Sequence, residues 1–164
     1  MSRLLKTSIG KPAKWLIDAA ATIDLDFSDL THEKTNDFVT HTQNQHGNIE
    51  TEKQRGQLPV TSKEIEQILE IIKNPDCVII GLRKYGQILN VYLKRNTIGS
   101  VIYYEEILKG KKNKSLRSKT MYIKMGLISN ETFIKVVSNN ANTDLSNAKI
   151  VVGAGGNPGG EALK

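Results

Sequence analysis

Cys77-Val78-Ile79-Ile80-Gly81-Leu82, then Gln87-Ile88-Leu89-Asn90-Val91-Tyr92-Leu93-Lys94-Arg95, then Ser100-Val101-Ile102-Tyr103-Tyr104-Glu105-Glu106-Ile107-Leu108 follow one another with only turn residues between them. Each run is short and rich in Val, Ile, Leu or Tyr, side chains that suit a pleated, half-buried surface. Tyr85-Gly86 and the stretch from Asn96 to Gly99 supply the turns. This spacing predicts an antiparallel meander. A basic loop from Lys109 to Arg117 leads to a fourth β-like run, Lys119 to Met125, in which Thr120, Tyr122 and Lys124 project on one face and Met121 and Ile123 on the other.

Upstream of the meander the apolar period changes from two to that of a helix. Thr61 begins a helix with Glu64 in the capping-box position and Ile65, Ile68, Leu69 and Ile72 on one stripe, and Asn74-Pro75 stops it. Further back, Ser28 or Thr31 can cap a helix running to about Gln45, on which Phe38 and His41 share a face. His46 and Gly47 mark its end, glycine being suited to a left-handed cap. The segment from Gly47 to Pro59 is polar and reads as irregular. Pro12 to Ala21, with Trp15, Leu16, Ala19 and Ala20, reads as a short helix before the acidic break from Asp24 to Asp29.

The expected fold class is therefore α+β, with N-terminal helices packed on a roughly four-stranded antiparallel sheet. Residues 1–29 are read as an N-terminal extension with a short helix and 30–137 as the folded domain. Residues 138–164 are read as a polar, flexible tail ending in Gly153-Ala-Gly-Gly-Asn-Pro-Gly-Gly160.

Charge and cysteine content narrow the function classes. Among 164 residues, 23 Lys and Arg against 17 Asp and Glu give a net charge of +6, which favours polyanionic partners. The single cysteine, Cys77, excludes an intrachain disulfide and a cysteine-rich zinc site. There is no apolar stretch near the roughly 20 residues that cross a bilayer, and no apolar core behind the N-terminal charges that would make a signal peptide. A cytoplasmic site of action without membrane association is expected, with delivery from a phage or from a larger exported toxin equally compatible.

The densest set of reactive side chains lies between His41 and Gln57, where apolar periodicity fails: His41-Thr-Gln-Asn-Gln-His46-Gly-Asn-Ile-Glu-Thr-Glu52-Lys-Gln-Arg55-Gly-Gln57. Cleaving an RNA phosphodiester with its own 2′-hydroxyl needs a base, an acid and cationic donors for the phosphorane oxygens. His, Glu and Arg suit those tasks near neutral pH. Plainer roles fit the same residues. His41 would serve as a half-buried structural histidine, His46 as a cation at a helix C-terminus, and Glu52 with Arg55 as a surface pair. His41 and His46 are five apart, where two ligands on one helix want three or four, so no metal is expected. The run from Lys109 to Lys119 carries six cations without an acid. Lys94, Lys111, Lys112, Lys114, Arg117, Lys119 and Lys124 are the expected RNA contacts.

The pieces His41-Thr-Gln-Asn-Gln-His-Gly47, Glu50-Thr-Glu-Lys-Gln-Arg-Gly-Gln-Leu-Pro-Val-Thr61, Ile71-Ile-Lys-Asn-Pro-Asp76 and Lys119-Thr-Met-Tyr-Ile-Lys124 occur in an order that resembles the phage-associated nuclease domains of the barnase, EndoU, colicin and RelE superfamily. The resemblance spans roughly Leu30 to Met125. It implies two N-terminal helices on a four-stranded antiparallel sheet and a metal-independent ribonuclease without cofactor, of the kind found in phage head-associated proteins and bacterial toxins. It further implies His41 and His46 as the acid and base pair, Glu52 and Arg55 as helper and phosphate clamp, and Thr120, Tyr122 and Lys124 on the opposite wall, with His32 a further candidate. The long polar end after Ile128 and the lack of a large partner domain depart from that pattern. The implied partners are RNA, tRNA among the candidates, and an immunity or antitoxin protein. The rival reading from another class is a noncatalytic nucleic-acid-binding or phage assembly module. DNA cleavage is a weaker third, for want of clustered carboxylates.

Overall fold

The computed structural model describes residues 4–97, 99–111 and 114–153. Through them the chain runs β1 (Lys6–Gly10), α1 (Lys14–Ala21), β2 (His32–Thr35), α2 (Asn36–His46), α3 (Ile49–Gln54), β3 (Gln57–Leu58), α4 (Ser62–Glu66) and α5 (Ile68–Lys73). It continues through β4 (Cys77–Lys84), β5 (Gln87–Arg95), β6 (Gly99–Lys109), β7 (Lys114–Met125), α6 (Asn130–Ser138), β8 (Thr143–Asp144) and β9 (Lys149–Val152).

Strands β4 to β7 are the meander, each antiparallel to the next. Around it the expectation of N-terminal helices on a four-stranded antiparallel sheet fails. The sheet has nine strands in the order β1-β2-β7-β6-β5-β4-β8, with β3 also on β7 and β9 also on β4, and it is mixed because β2 runs parallel to β7. The added strands are two to five residues long, and several are polar, such as Lys6-Thr-Ser-Ile-Gly10 and His32-Glu-Lys-Thr35. Such pieces carry no alternation to read. What fixes β2, β3, β8 and β9 is the unpaired N–H and C=O groups along the outer edges of β7 and β4, which are costly to leave buried without partners, and β1 then pairs with β2.

Several local expectations are corrected as well. Residues 32–35 are strand, so Thr35 caps α2, its hydroxyl accepting from the Phe38 amide at 3.1 Å. The polar segment after Gly47 is ordered by Asn48, whose side chain accepts from the amides of Glu50 at 2.9 Å and Thr51 at 3.1 Å to start α3. Gly47 itself caps α2 at φ −97°, outside the left-handed region. The helix expected from Thr61 is interrupted at Gln67 into α4 and α5, although the capping box forms, with Thr61 N donating to the Glu64 carboxylate at 2.8 Å. Within the span 138–164, read as tail, β8 and β9 pair with β4, while residues 154–164 lie outside the described residues. The basic loop contracts to a hairpin because β7 begins at Lys114.

Alternation along the strands builds two cores. Val78, Ile80, Tyr92, Val101, Tyr103, Met121 and Ile123 face Leu16, Ala20, Phe38, Ile65, Ile68 and Ile72 of the helices. Cys77, Ile79, Leu89, Val91, Leu93, Ile102 and Tyr104 face Phe133 and Val137 of α6. Cys77 is fully buried, and desolvation pushes its thiol up to about 11. It should therefore resist thiol reagents at neutral pH in the native protein and react after unfolding, which Ellman titration with and without denaturant checks.

The helix-bearing core contains a polar network. The Glu105 carboxyl accepts from Asn90 Nδ2 at 3.0 Å and from the Tyr92 hydroxyl, and lies 2.7 Å from His32 Nδ1. Asn90 Oδ1 accepts from Gly81 N at 3.2 Å. Gly81 is the extra residue of a bulge in β4, at φ +81°, a backbone conformation that calls for glycine, and a Cβ there would also press on Ile23 Cδ1 at 3.0 Å.

Candidate active site

Helix α2 ends on His46, and α3 turns back so that Glu52 meets it. Glu52 is fully buried. Its carboxylate lies 3.3 Å from His46 Nδ1 and accepts from Arg55 Nη1 at 3.0 Å, and the same Arg55 nitrogen donates to the Gln45 carbonyl at 2.8 Å. A carboxylate only accepts, so Nδ1 carries the hydrogen and Nε2 is left for other chemistry. A buried carboxylate is tolerable because two cationic or donor groups share it.

Three rings gather here. The His46 ring centroid is 5.8 Å from that of Tyr122, tilted by 34°, and 6.5 Å from that of His41, edge-on at 76°. A cavity of about 520 Å³ opens beside them, lined by His46, Gln57, Lys119, Thr120, Tyr122 and Lys124 among others. Gln57 Oε1 and Thr120 Oγ1 are buried without a hydrogen-bond partner. Groups in that state are donors or acceptors waiting for a ligand or water.

A bulge in β7 completes the wall. Tyr104 pairs with Thr120 but Glu105 pairs with Ser118, leaving Lys119 as the extra residue. In a regular strand residues 119 and 120 would point to opposite faces, whereas here both line the cavity. The same two residues line a second cavity of about 440 Å³, in which His41, Phe38 and Arg117 take part. His46 thus lines one cavity and His41 the other, with Lys119 and Thr120 of β7 common to both.

The expected site residues thus separate into two groups. His41, His46, Glu52, Thr120, Tyr122, Lys119 and Lys124 come together, with Arg117 close by. Arg55 shares its Nη1 between the Glu52 carboxylate and the Gln45 carbonyl, its side chain is partly exposed, and it is not among the residues that line the cavity. Lys94, Lys111, Lys114 and His32 sit elsewhere. Lys94 Nζ donates to the Asn74 carbonyl at 2.7 Å, closing the end of α5 on the other face of the sheet. Lys114 pairs with Asp29 at 3.7 Å, ten residues and about 33 Å along β7 from Lys124. Lys111 is exposed in the hairpin, and Lys112 lies outside the described residues. His32 is only 1 % exposed and belongs to the Glu105 network. Sequence reasoning missed Gln57 and the hairpin residues Lys84 and Tyr85, which also line the larger cavity. For Tyr85 the signal was present, an aromatic side chain directly before a turn glycine.

Burial holds the hydroxyls of Tyr92, Tyr103 and Tyr122 above the ordinary phenol range, and that of Tyr104 is pushed up to about 12. Tyr122 therefore keeps its proton at neutral pH and has a hydroxyl hydrogen to offer. For these groups the folded-state pKa exceeds the unfolded value. Their stabilising contribution is present below pH about 10 and is lost as pH rises through the folded values. Urea midpoints measured across pH 8 to 11.5 should fall only above the phenol range.

Among the described residues no three His, Cys, Asp or Glu side chains gather as a metal-binding group. No helix among them is long and apolar enough to cross a membrane.

A carboxylate orienting an imidazole, set against a cationic sheet wall, is the equipment of an enzyme that acts on a polyanion. Residues 10–131 match the family described as phage-Barnase-EndoU-ColicinE5/D-RelE like nuclease3, and the chain belongs to that family. It is accordingly a nuclease domain, acting on nucleic acid. The matched span begins at the last residue of β1 and ends in the first turn of α6, and it encloses the region from Leu30 to Met125 on which the resemblance rested. No curated protein and no solved structure matches the chain.

Proposed function

We propose that the domain is an endoribonuclease that cleaves by transesterification with its own side chains. The observation that carries this reading is the His46–Glu52 pair at the edge of a cavity with a cationic wall. His46 Nε2 removes the 2′-hydroxyl proton, the 2′-oxygen attacks phosphorus, and the P–O5′ bond breaks. His41 gives a proton to the departing 5′-oxygen, leaving a 2′,3′-cyclic phosphate and a 5′-hydroxyl. The Tyr122 hydroxyl, Thr120 and the ammonium groups of Lys119 and Lys124 supply donors for the charge on the phosphorane oxygens. Glu52 fixes the His46 tautomer and stabilises its protonated form, and Arg55 fixes Glu52.

The direct test of the reaction type compares an RNA oligonucleotide with its 2′-O-methyl and DNA counterparts in excess EDTA. Cleavage of the RNA alone is expected. Cleavage of the 2′-O-methyl strand would rule out attack by the 2′-oxygen.

The cation assignments yield a second expectation. Lys124→Ala should reduce the salt slope of single-stranded RNA binding by roughly 0.7, because that side chain lines the cavity. Lys94→Ala should leave the slope unchanged. Anisotropy titrations at several salt concentrations separate the two.

A further inference from the structure

The cavity beside His46 does not stop at β7. It continues across the sheet face to the turn between β4 and β5, where Lys84, Tyr85 and Gln87 line it. Tyr122 pairs with Ile102 and Ile102 with Leu93, and Gln87 lies six residues from Leu93 along β5. That is about 20 Å of strand. One phosphodiester cannot fill such a length, whereas a run of several nucleotides does.

Tyr85 at the far end is unexplained by the fold. The Lys84–Gln87 pair closes a two-residue turn with Tyr85 at φ +50° and Gly86 at φ +77°. Turns with two positive φ values favour Asn, Asp or Gly at the first position, and a bulky side chain there is strained. The ring is also 68 % exposed, so no core contact offsets the strain. Lys84 Nζ lies 5.9 Å from the ring centroid. Strain kept without a structural return points to use of the side chain itself.

We infer that Tyr85 is a stacking platform for a nucleobase, and that the site takes several nucleotides of single-stranded RNA laid from His46 to the β4–β5 turn. This rests on the cavity being the RNA site. Every base offers a π-face to an aromatic ring, so the platform is tolerant of sequence, and Lys84 beside it meets the adjoining phosphate. Bases within a duplex are already stacked and have no face to give, so paired RNA is a poorer ligand.

The test measures binding of a labelled single-stranded 2′-O-methyl decanucleotide by anisotropy. Tyr85→Asn should bind roughly tenfold more weakly with an unchanged salt slope, and Tyr85→Trp should bind like the wild type. The Asn variant should melt no lower than the wild type, since Asn suits the turn, so weaker binding would not reflect unfolding. Equal affinity of Tyr85→Asn and wild type would overturn the platform. Cleavage of a dinucleotide, too short to reach Tyr85, keeps the two readings apart. It should proceed equally in wild type and Tyr85→Asn and be lost in His46→Ala. Retention of dinucleotide cleavage in His46→Ala would overturn the nuclease reading of the cavity, and with it the premise of the platform, whatever the decanucleotide shows.

Discussion

His46→Ala should lower RNA cleavage by about a hundredfold or more, the usual contribution of a positioned general acid or base. The fold should survive the change. His46 is partly exposed at the end of α2, and after its removal Glu52 still keeps the Arg55 guanidinium at 3.0 Å. RNA affinity should change little, because the lysines of the cavity wall are untouched. Glu52→Gln is the companion variant. It cannot stabilise a protonated His46 as a carboxylate does, so it should lower kcat while leaving KM nearly unchanged. A steady-state series on one RNA substrate, with melting curves beside it, reads all of these quantities. Equal loss from His46→Ala in binding and in cleavage would argue instead for a binding module.

The largest effect on stability is expected at Glu105, which pairs with Ser118 beside the bulge in β7. Its carboxyl is the shared partner of His32, Asn90 and Tyr92, and all four residues are almost completely buried. Glu105→Ala leaves those groups without partners in the core, and removing one member of a buried pair typically costs about 3–5 kcal/mol. That is a large share of the total stability of an ordinary domain, about 5–15 kcal/mol. Glu105→Gln should cost less, since its carbonyl still accepts from Tyr92 or Asn90. Urea unfolding followed by far-ultraviolet circular dichroism measures both. A Glu105→Ala midpoint equal to wild type would mean that the network contributes nothing net.

This network shows where the sequence could be read and where it could not. The meander was legible because Cys77 to Leu82, Gln87 to Arg95 and Ser100 to Leu108 each bury apolar side chains on both faces, and the turns between them carry glycine. The polar residues Asn90 and Glu105 interrupt those runs without ending them, and only the packed fold reveals that they bond to each other and that Glu105 also meets His32. Strands β1, β2 and β9 were missed because pairing to an existing edge, a long-range effect, outweighs local preference in so few residues. The cluster from His41 to Arg55 stood out by composition alone. Its internal contacts did not, since no local pattern tells that α3 folds back to bring Glu52 to His46 and Arg55. Lys94 and Lys119 look alike in the sequence. The strand face separates the first from the site, and a bulge no local pattern announces brings the second to it.

The most direct test of the central claim is end-group analysis of total RNA incubated in excess EDTA with the wild-type protein and with His46→Ala. The account predicts fragments ending in 2′,3′-cyclic phosphate and beginning with 5′-hydroxyl from the wild type, and intact RNA from the variant. Fragments with 5′-phosphate and 3′-hydroxyl ends, or equal cleavage by both proteins, would contradict it.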